Sequence, residues 1–280
     1  MLENFRVARY QIILSVGKPG LEIRTHPGAR LFEGLRICLR KLVCTSGEAE
    51  CFRCGLHKSC AYPALFPVVS ARGLLLSGTL PPSFVVEPPR DLRTRYRMGD
   101  PLVIGIVVVG RAIEFFPHLV ASLRELGKAS IPQSLGKYRV AGVLAVHPFT
   151  GRHQLLYSSE SGFLRGIDMS ARASEAFHCV GDLDPERLAL EFTTLTCLEH
   201  GHRLVRQAEF HILMRNLLKR IAALNHFYHD TPLDVDAATT VEKSRFVYRE
   251  TDQTRWIQPT RYIASRDVPQ VPAAGMVGRV

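Results

Sequence analysis

The sequence lacks the marks of a protein that enters or crosses a membrane. It has no run of about eighteen or more uncharged apolar residues, which argues against a spanning helix. Its first residues, MLENFRVARYQIILSV, have no basic start, no long apolar stretch and no small-residue cleavage site. They read as a first strand rather than a leader, and the expected location is the cytoplasm. An even, regularly spaced set of cysteines is also missing. The chain has seven, and without a secretory signal a disulfide framework is the weaker reading. No set of carboxylates suggests a magnesium site. Acidic side chains are in short supply altogether, 26 Asp and Glu against 36 Lys and Arg, for a net charge of +10. That excess points to a polyanionic partner, nucleic acid before membrane, because no strongly amphipathic terminal helix is visible. An inert basic surface is the other reading of the same excess.

What is present suits a globular protein. Hydrophobic residues make up 46% and charged residues 22% of 280 positions, enough for one large domain or two of ordinary size. Residues 4–16 are aliphatic and suit a strand. From Ala29 to Val43, Leu31, Leu35, Leu39 and Leu42 recur at helical spacing with Arg36, Arg40 and Lys41 between them. SFVVEPP reads as a short strand stopped by prolines, and the β-branched run PLVIGIVVVG as a buried central strand. The helical pattern RAIEFFPHLVASLRELGK follows, with Pro117 delaying its start or kinking it. GKYRVAGVLAV closes the unit.

Strand, helix, strand, strand, helix, strand is the ferredoxin-like order, here assigned to residues 1–150, with one sheet face covered by helices and the other free to meet RNA. Residues 151–185 read as a connection. Residues 186–280 restart the pattern. ERLALEFTTLTCL is a strand, and a long helix carries a stripe of Val205, Phe210, Leu213, Leu217, Ile221 and Leu224. TTVEKSRFVYRE and RWIQPTRYIA read as two further strands. The expected fold class is α+β, two tandem ferredoxin-like (RRM-like) domains.

Four cysteines, Cys44, Cys51, Cys54 and Cys60, fall in one loop at 44–60. Four soft ligands in a short loop suit one tetrahedral zinc, with the Cys51-x-x-Cys54 pair as one chelating half. His57 could replace one cysteine, an iron–sulfur cluster is the second metal reading, and free buried thiols are the metal-free one. A four-thiolate site has no open position for water, so its zinc would be structural.

Several motifs together resemble the endoribonucleases that process precursor CRISPR RNA, of the repeat-associated (RAMP) superfamily. They are Glu87-Pro88-Pro89, then Gly99-Asp100 ahead of the hydrophobic strand, then Gly110-Arg111-Ala112, and the helix ending Leu126-Gly127. LRKLVC and CAYPALF resemble the same subgroup, and AAGMVGRV is similar to the family's glycine-rich loop. The resemblance is densest between residues 36 and 128 and implies tandem ferredoxin-like RAMP domains. Relatives carry a Gly-Arg/Lys-Gly stretch where this chain has KASIPQSLGKYRV. Their second domain continues past the Gly-x-x-Gly, so the expectation here is a second domain that is degenerate or short of a terminal helix and strand.

The implied activity is cleavage of CRISPR repeat RNA without a catalytic metal, by attack of the substrate's own 2′-hydroxyl. That chemistry needs a base, an acid and cations for the phosphorane, roles that suit His, Arg and Lys. Relatives place the histidine in or beside the first helix, which here has Ile37 at a position where they often carry it. The candidates are therefore His26, entering the helix, with Arg30, and as runner-up the pair His200 and His202 before the long helix. His118, His147, His178 and His211 lie in apolar contexts and read as structural. For RNA binding the candidates are Arg36, Arg206, Arg215, Lys219, Arg261, Arg266, and the glycine loop Gly275-x-x-Gly278, whose amides would approach phosphates. Arg206, Arg215 and Lys219 serve equally as a solvated helix face. The expected partners are CRISPR repeat RNA and other subunits of a CRISPR effector complex. The alternative to an enzyme is a non-catalytic crRNA-binding subunit of such a complex.

Overall fold

A computed structural model describes residues 2, 4–23, 27–48, 50–67, 81–91, 93–129, 131, 134–181, 183–201, 203–229, 231–258 and 274–280. The chain divides into two compact units. One comprises residues 3–176 with 227–230; the other comprises 1–2, 177–226 and 231–280.

In the larger unit the strands are β1 (Arg6–Val16), β2 (Leu21–Glu22), β3 (Phe84–Glu87), β4 (Arg95–Tyr96), β5 (Pro101–Val109), β6 (Tyr138–Val146), β7 (His153–Ser158) and β8 (Ala171–Arg172). Its helices are α1 (Pro27–Val43), α2 (Ala61–Leu65) and α3 (Phe116–Lys128), and α4 (Ala176–Val180) follows. The main sheet runs β3-β5-β1-β6-β7, antiparallel at every pairing. Its first four strands have the ferredoxin-like order expected from the sequence. On β1 the alternation is strict: Ala8, Tyr10, Ile12, Leu14 and Val16 are buried, and the residues between them face the other way. The buried set packs on Leu31, Leu35 and Leu39 of α1 and on Leu119, Leu123 and Leu126 of α3. Leu42, the fourth member of the predicted α1 stripe, is exposed. Pro117 lies in the first turn of α3, where its missing N–H costs nothing, and a 3-10 turn at Gly110–Phe115 precedes it.

Residues 151–176 of the segment read as a connection belong to this unit. β7 adds a fifth strand beside β6, and β8 pairs with the start of β1. The period of HQLLYS is too short to stand out among the glycines and serines around it.

The smaller unit holds β9 (Glu191–Thr196), β10 (Leu198–His200), β11 (Arg203–Val205), all but the last three residues of α5 (Phe210–His229), α6 (Ala237–Lys243), β12 (Arg255–Ile257) and β13 (Gly275–Arg279). Its three-stranded sheet has the order β12-β13-β9, and β10 and β11 form a hairpin. With α5 between β9 and β12, this is the β-α-β-β portion of a second ferredoxin-like arrangement. A small core of Leu198, Ala208, Ile212 and Met276 holds it together. Two sequence expectations change here. TTVEK is helix α6, not strand, because the Asp236 carboxylate accepts the Thr239 N–H at 3.0 Å and caps a turn that buries Val241. AAGMVGRV is not a loop, since Gly275 and Gly278 lie within β13.

Candidate nucleic-acid interface

The sequence-predicted residues occupy quite different environments. His26, His202, Arg261 and Arg266 lie outside the described residues. Arg30, in the first turn of α1, donates from Nη2 to the Ser134 carbonyl at 2.6 Å and ties α1 to the loop after α3. Arg36 forms a two-point pair with Glu33, its Nε donating to Oε2 at 2.8 Å. Glu33 is buried, so the pair neutralises a carboxylate inside the helix layer. The hydrogen bond that Arg36 donates to Glu33 holds its guanidinium firmly in the charged form. Its cation is thus met within the protein.

The sheet face opposite α1 and α3 is open. Val85, Val103 and Leu155 are exposed there, and Arg9 reaches across β5 to Glu87, Nη2 to Oε2 at 2.9 Å. The pair crosses directly above Gly105, where a Cβ would collide with the Glu87 carboxylate. Beside it lies a shallow hollow of about 310 Å³ with Gln11, Arg90 and Arg93 on its walls. Arg93 stacks over the Tyr96 ring at 4.5 Å and pairs with Asp91. Hydrogen bonds from Tyr96, then Arg93, hold the Asp91 carboxyl below its usual range, while burial pushes the Tyr96 hydroxyl up to about 12.

In the smaller unit, Arg215 and Lys219 stand one turn apart on α5 and line a groove of about 480 Å³ with Leu218, Ala222, Val235 and Val241. The Arg206 guanidinium lies over the Trp256 ring at 5.6 Å. Gly275 and Gly278 serve the sheet. At Gly278 the φ is +117°, and a Cβ would come within 2.5 Å of the Gln253 carbonyl. This accounts for the glycine without invoking a phosphate.

A grouping not foreseen in the sequence lies in the same unit. A cleft of about 400 Å³ is lined by Glu209, His211, Arg245, Val247, Tyr248 and Arg249. The His200 ring meets His211 edge-on at 6.4 Å. Phe246 and Tyr248 project into solvent, 75% and 82% exposed, between Arg245 and Arg249. Arg245 pairs with Glu242 at 3.1 Å, and Arg249 with Asp252 at 2.6 Å and Glu209 at 3.0 Å. Such surface pairs are weak and can be exchanged for phosphate. The signal was present in the sequence as aromatics interleaved with arginines in SRFVYRE, but the β-branched and aromatic content made it read as a strand.

The four cysteines form a local cluster. Cys44, Cys51, Cys54, Cys60 and His57 line one small enclosure, and none of the cysteines is in a disulfide. His57 Nδ1 is 2.9 Å from the Cys51 carbonyl. Burial pushes the Cys51 thiol up, and the charges of Cys44, Cys60 and Cys54 act in the same direction. Among the described residues no three His, Cys, Asp or Glu side chains stand at mutual metal-binding geometry.

No helix among the described residues is long and apolar enough to cross a membrane. Among curated proteins none matches the sequence. Solved structures share the fold. A chain of a partial Cas6-RT-Cas1–Cas2 complex matches with a TM-score of 0.55 at 13% identity, over 98% of this chain and 39% of that one. A chain of a Cas6-RT-Cas1–Cas2 complex matches equally well, over 98% of this chain and 24% of that one. This chain therefore spans well under half the length of either. Thermus thermophilus Cas6 is similar with a TM-score of 0.48 at 13% identity, covering 98% and 81% of the two chains. The fold is thus one shared with a chain of a Cas6-RT-Cas1–Cas2 complex. The AF_1859 N-terminal-domain profile matches residues 5–169, from β1 to just short of β8, and the chain belongs to the family that carries this domain.

Proposed function

We propose that the protein binds CRISPR repeat RNA and cleaves it by attack of the RNA's 2′-hydroxyl on the adjacent phosphate, with no catalytic metal. The single observation that carries this reading is the run Arg245-Phe246-Val247-Tyr248-Arg249, whose two aromatic rings are exposed between two arginines beside His211. Exposed rings offer stacking platforms to unpaired bases, and arginines meet the phosphates between them. An imidazole titrates near neutral pH and suits proton transfer to or from the reacting oxygens. His200 and His211 would supply two imidazoles, as base and acid, and Arg245 and Arg249 on the cleft wall the cations for the phosphorane. The net charge of +10 and the fold shared with a chain of a Cas6-RT-Cas1–Cas2 complex support the same reading. Other CRISPR subunits are the protein partners it suggests.

One observation favours the second reading, an RNA-holding subunit without chemistry. Helix α1 contains no histidine, and Ile37 stands where relatives often carry one. Variants separate the two. Phe246→Ala with Tyr248→Ala should weaken repeat-RNA binding at least tenfold, since each stacked base is worth about 1–3 kcal/mol, and should leave stability unchanged. His211→Ala should slow cleavage roughly 10²-fold with affinity retained. If His26→Ala stops cleavage and His211→Ala does not, the chemistry belongs at the entrance to α1. Unaltered binding in the double aromatic variant would refute the interface itself.

A further inference from the structure

We propose that Cys44, Cys51, Cys54 and Cys60 bind one zinc ion as four thiolates, forming a structural clip between the end of α1 and the start of α2. The proposal does not rest on the RNA reading. Its ground is how the backbone brings the four together. The Cys44 N–H continues the ladder of α1, donating to the Arg40 carbonyl at 3.0 Å. Cys51 opens a 3-10 turn, Cys51–Arg53, and the Cys54 N–H donates back to the Cys51 carbonyl at 3.2 Å. Cys60 occupies the N-cap position of α2. Three separate pieces of local structure therefore deliver thiols to the walls of one enclosure.

Two further observations suit a cation inside it. The enclosure measures about 20 Å³, room for a single water-sized occupant, which suits one ion. Second, four thiolates around a divalent zinc leave a net double negative charge, and Arg40 lines the same enclosure.

The loop also has little else to order it. Phe52 and Leu56 are exposed, and only Cys51 and Cys60 of this segment pack against the main core. A metal would supply the missing interior, its affinity becoming folding energy for the segment. The thiols as they stand do not converge on one bonding point, so coordination would turn them inward about χ1, between staggered wells. Each thiol then gives up its proton to solvent. Four protein ligands leave no position for a reacting water, so the ion holds the loop and takes no part in chemistry.

The test is metal analysis of the full chain, purified without chelator. One zinc per chain is expected, falling to near none in Cys54→Ser and in Cys60→Ser and unchanged in Cys179→Ser. Because the loop variants could fail to fold, the metal-stripped wild-type chain is also titrated with cobalt(II). The intense d–d bands of tetrahedral thiolate cobalt, saturating at one equivalent and bleached by zinc, support the site. Iron in place of zinc with a cluster absorption would overturn it, as would octahedral cobalt spectra. Absence of any bound metal together with no cobalt bands would overturn it equally.

Discussion

Replacing Gly278 by alanine sets the strand role of Gly275-x-x-Gly278 against a phosphate-binding role. The residue sits at φ +117°, and its would-be Cβ lies 2.5 Å from the Gln253 carbonyl and 3.1 Å from the Thr254 Cα. Both obstacles are backbone, so neither yields as a flexible side chain would. Holding alanine in this region costs about 1–3 kcal/mol. Relieving the overlap costs about as much again, ~1–3 kcal/mol. A loss of about 2–6 kcal/mol, the sum of the two, falls on a unit whose core cluster among the described residues is small, Leu198, Ala208, Ile212 and Met276. For a domain of this size each kcal/mol moves Tm by about 4–8 °C, so a drop of roughly 10 °C or more is expected. The assay is thermal unfolding followed by circular dichroism, alongside RNA binding measured well below the transition. Affinity of the folded protein should be unchanged. An unaltered Tm with a tenfold loss of RNA affinity would refute the reasoning and restore the phosphate loop.

Glu33→Ala should lower stability by about 2–3 kcal/mol in urea titration, because it strands the partly buried Arg36 cation, and Glu33→Met with Arg36→Leu should recover most of it. An unchanged midpoint in the single variant would contradict the buried pair. Asp236→Ala should destabilise α6 near neutral pH. Hydrogen bonds from the Thr239 side chain and then its backbone N–H hold the Asp236 carboxyl below its usual range. The cap therefore acts above the unfolded carboxylate pKa of about 3.9 and is lost as pH falls through the depressed folded value. The difference in Tm between wild type and variant should accordingly vanish in strong acid, and a difference independent of pH would be evidence against the cap. RNA affinity should fall with salt at a slope of about −0.7 per phosphate contact on a logarithmic scale, and a flat dependence would remove the electrostatic interface.

Much of the larger unit was legible because its elements agree with their local chemistry. PLVIGIVVVG is an interior strand paired by β1 and β3, and its β-branched run marks it as a strand even though Val103 faces the open side of the sheet. The leucines of α1 recur at the helical period, and at its end Leu42 is exposed while Val43 beside it packs against the core. The smaller unit was less legible. Thr239, Thr240 and Val241 carry strand-like propensity, and one capping carboxylate at Asp236 outweighs it. The glycines of β13 imitate a phosphate loop because close strand approach and phosphate approach both demand a missing side chain. His211 was set aside for its apolar neighbours Phe210 and Ile212, yet at the start of α5 it lies on the wall of the cleft with Tyr248 and Arg245. Only the fold brings residues 34 positions apart in sequence, 211 and 245, to one cavity.

The central claim is RNA cleavage by the chain's own side chains, and the product ends test it most directly. End-labelled RNA carrying a CRISPR repeat is incubated with the unsubstituted protein in excess EDTA, and the fragments are separated and probed for their termini. A single cut within the repeat, leaving a 2′,3′-cyclic phosphate on one fragment and a 5′-hydroxyl on the other, is the expected result. Intact RNA at stoichiometric protein, or cleavage that appears only when magnesium is restored, would contradict it.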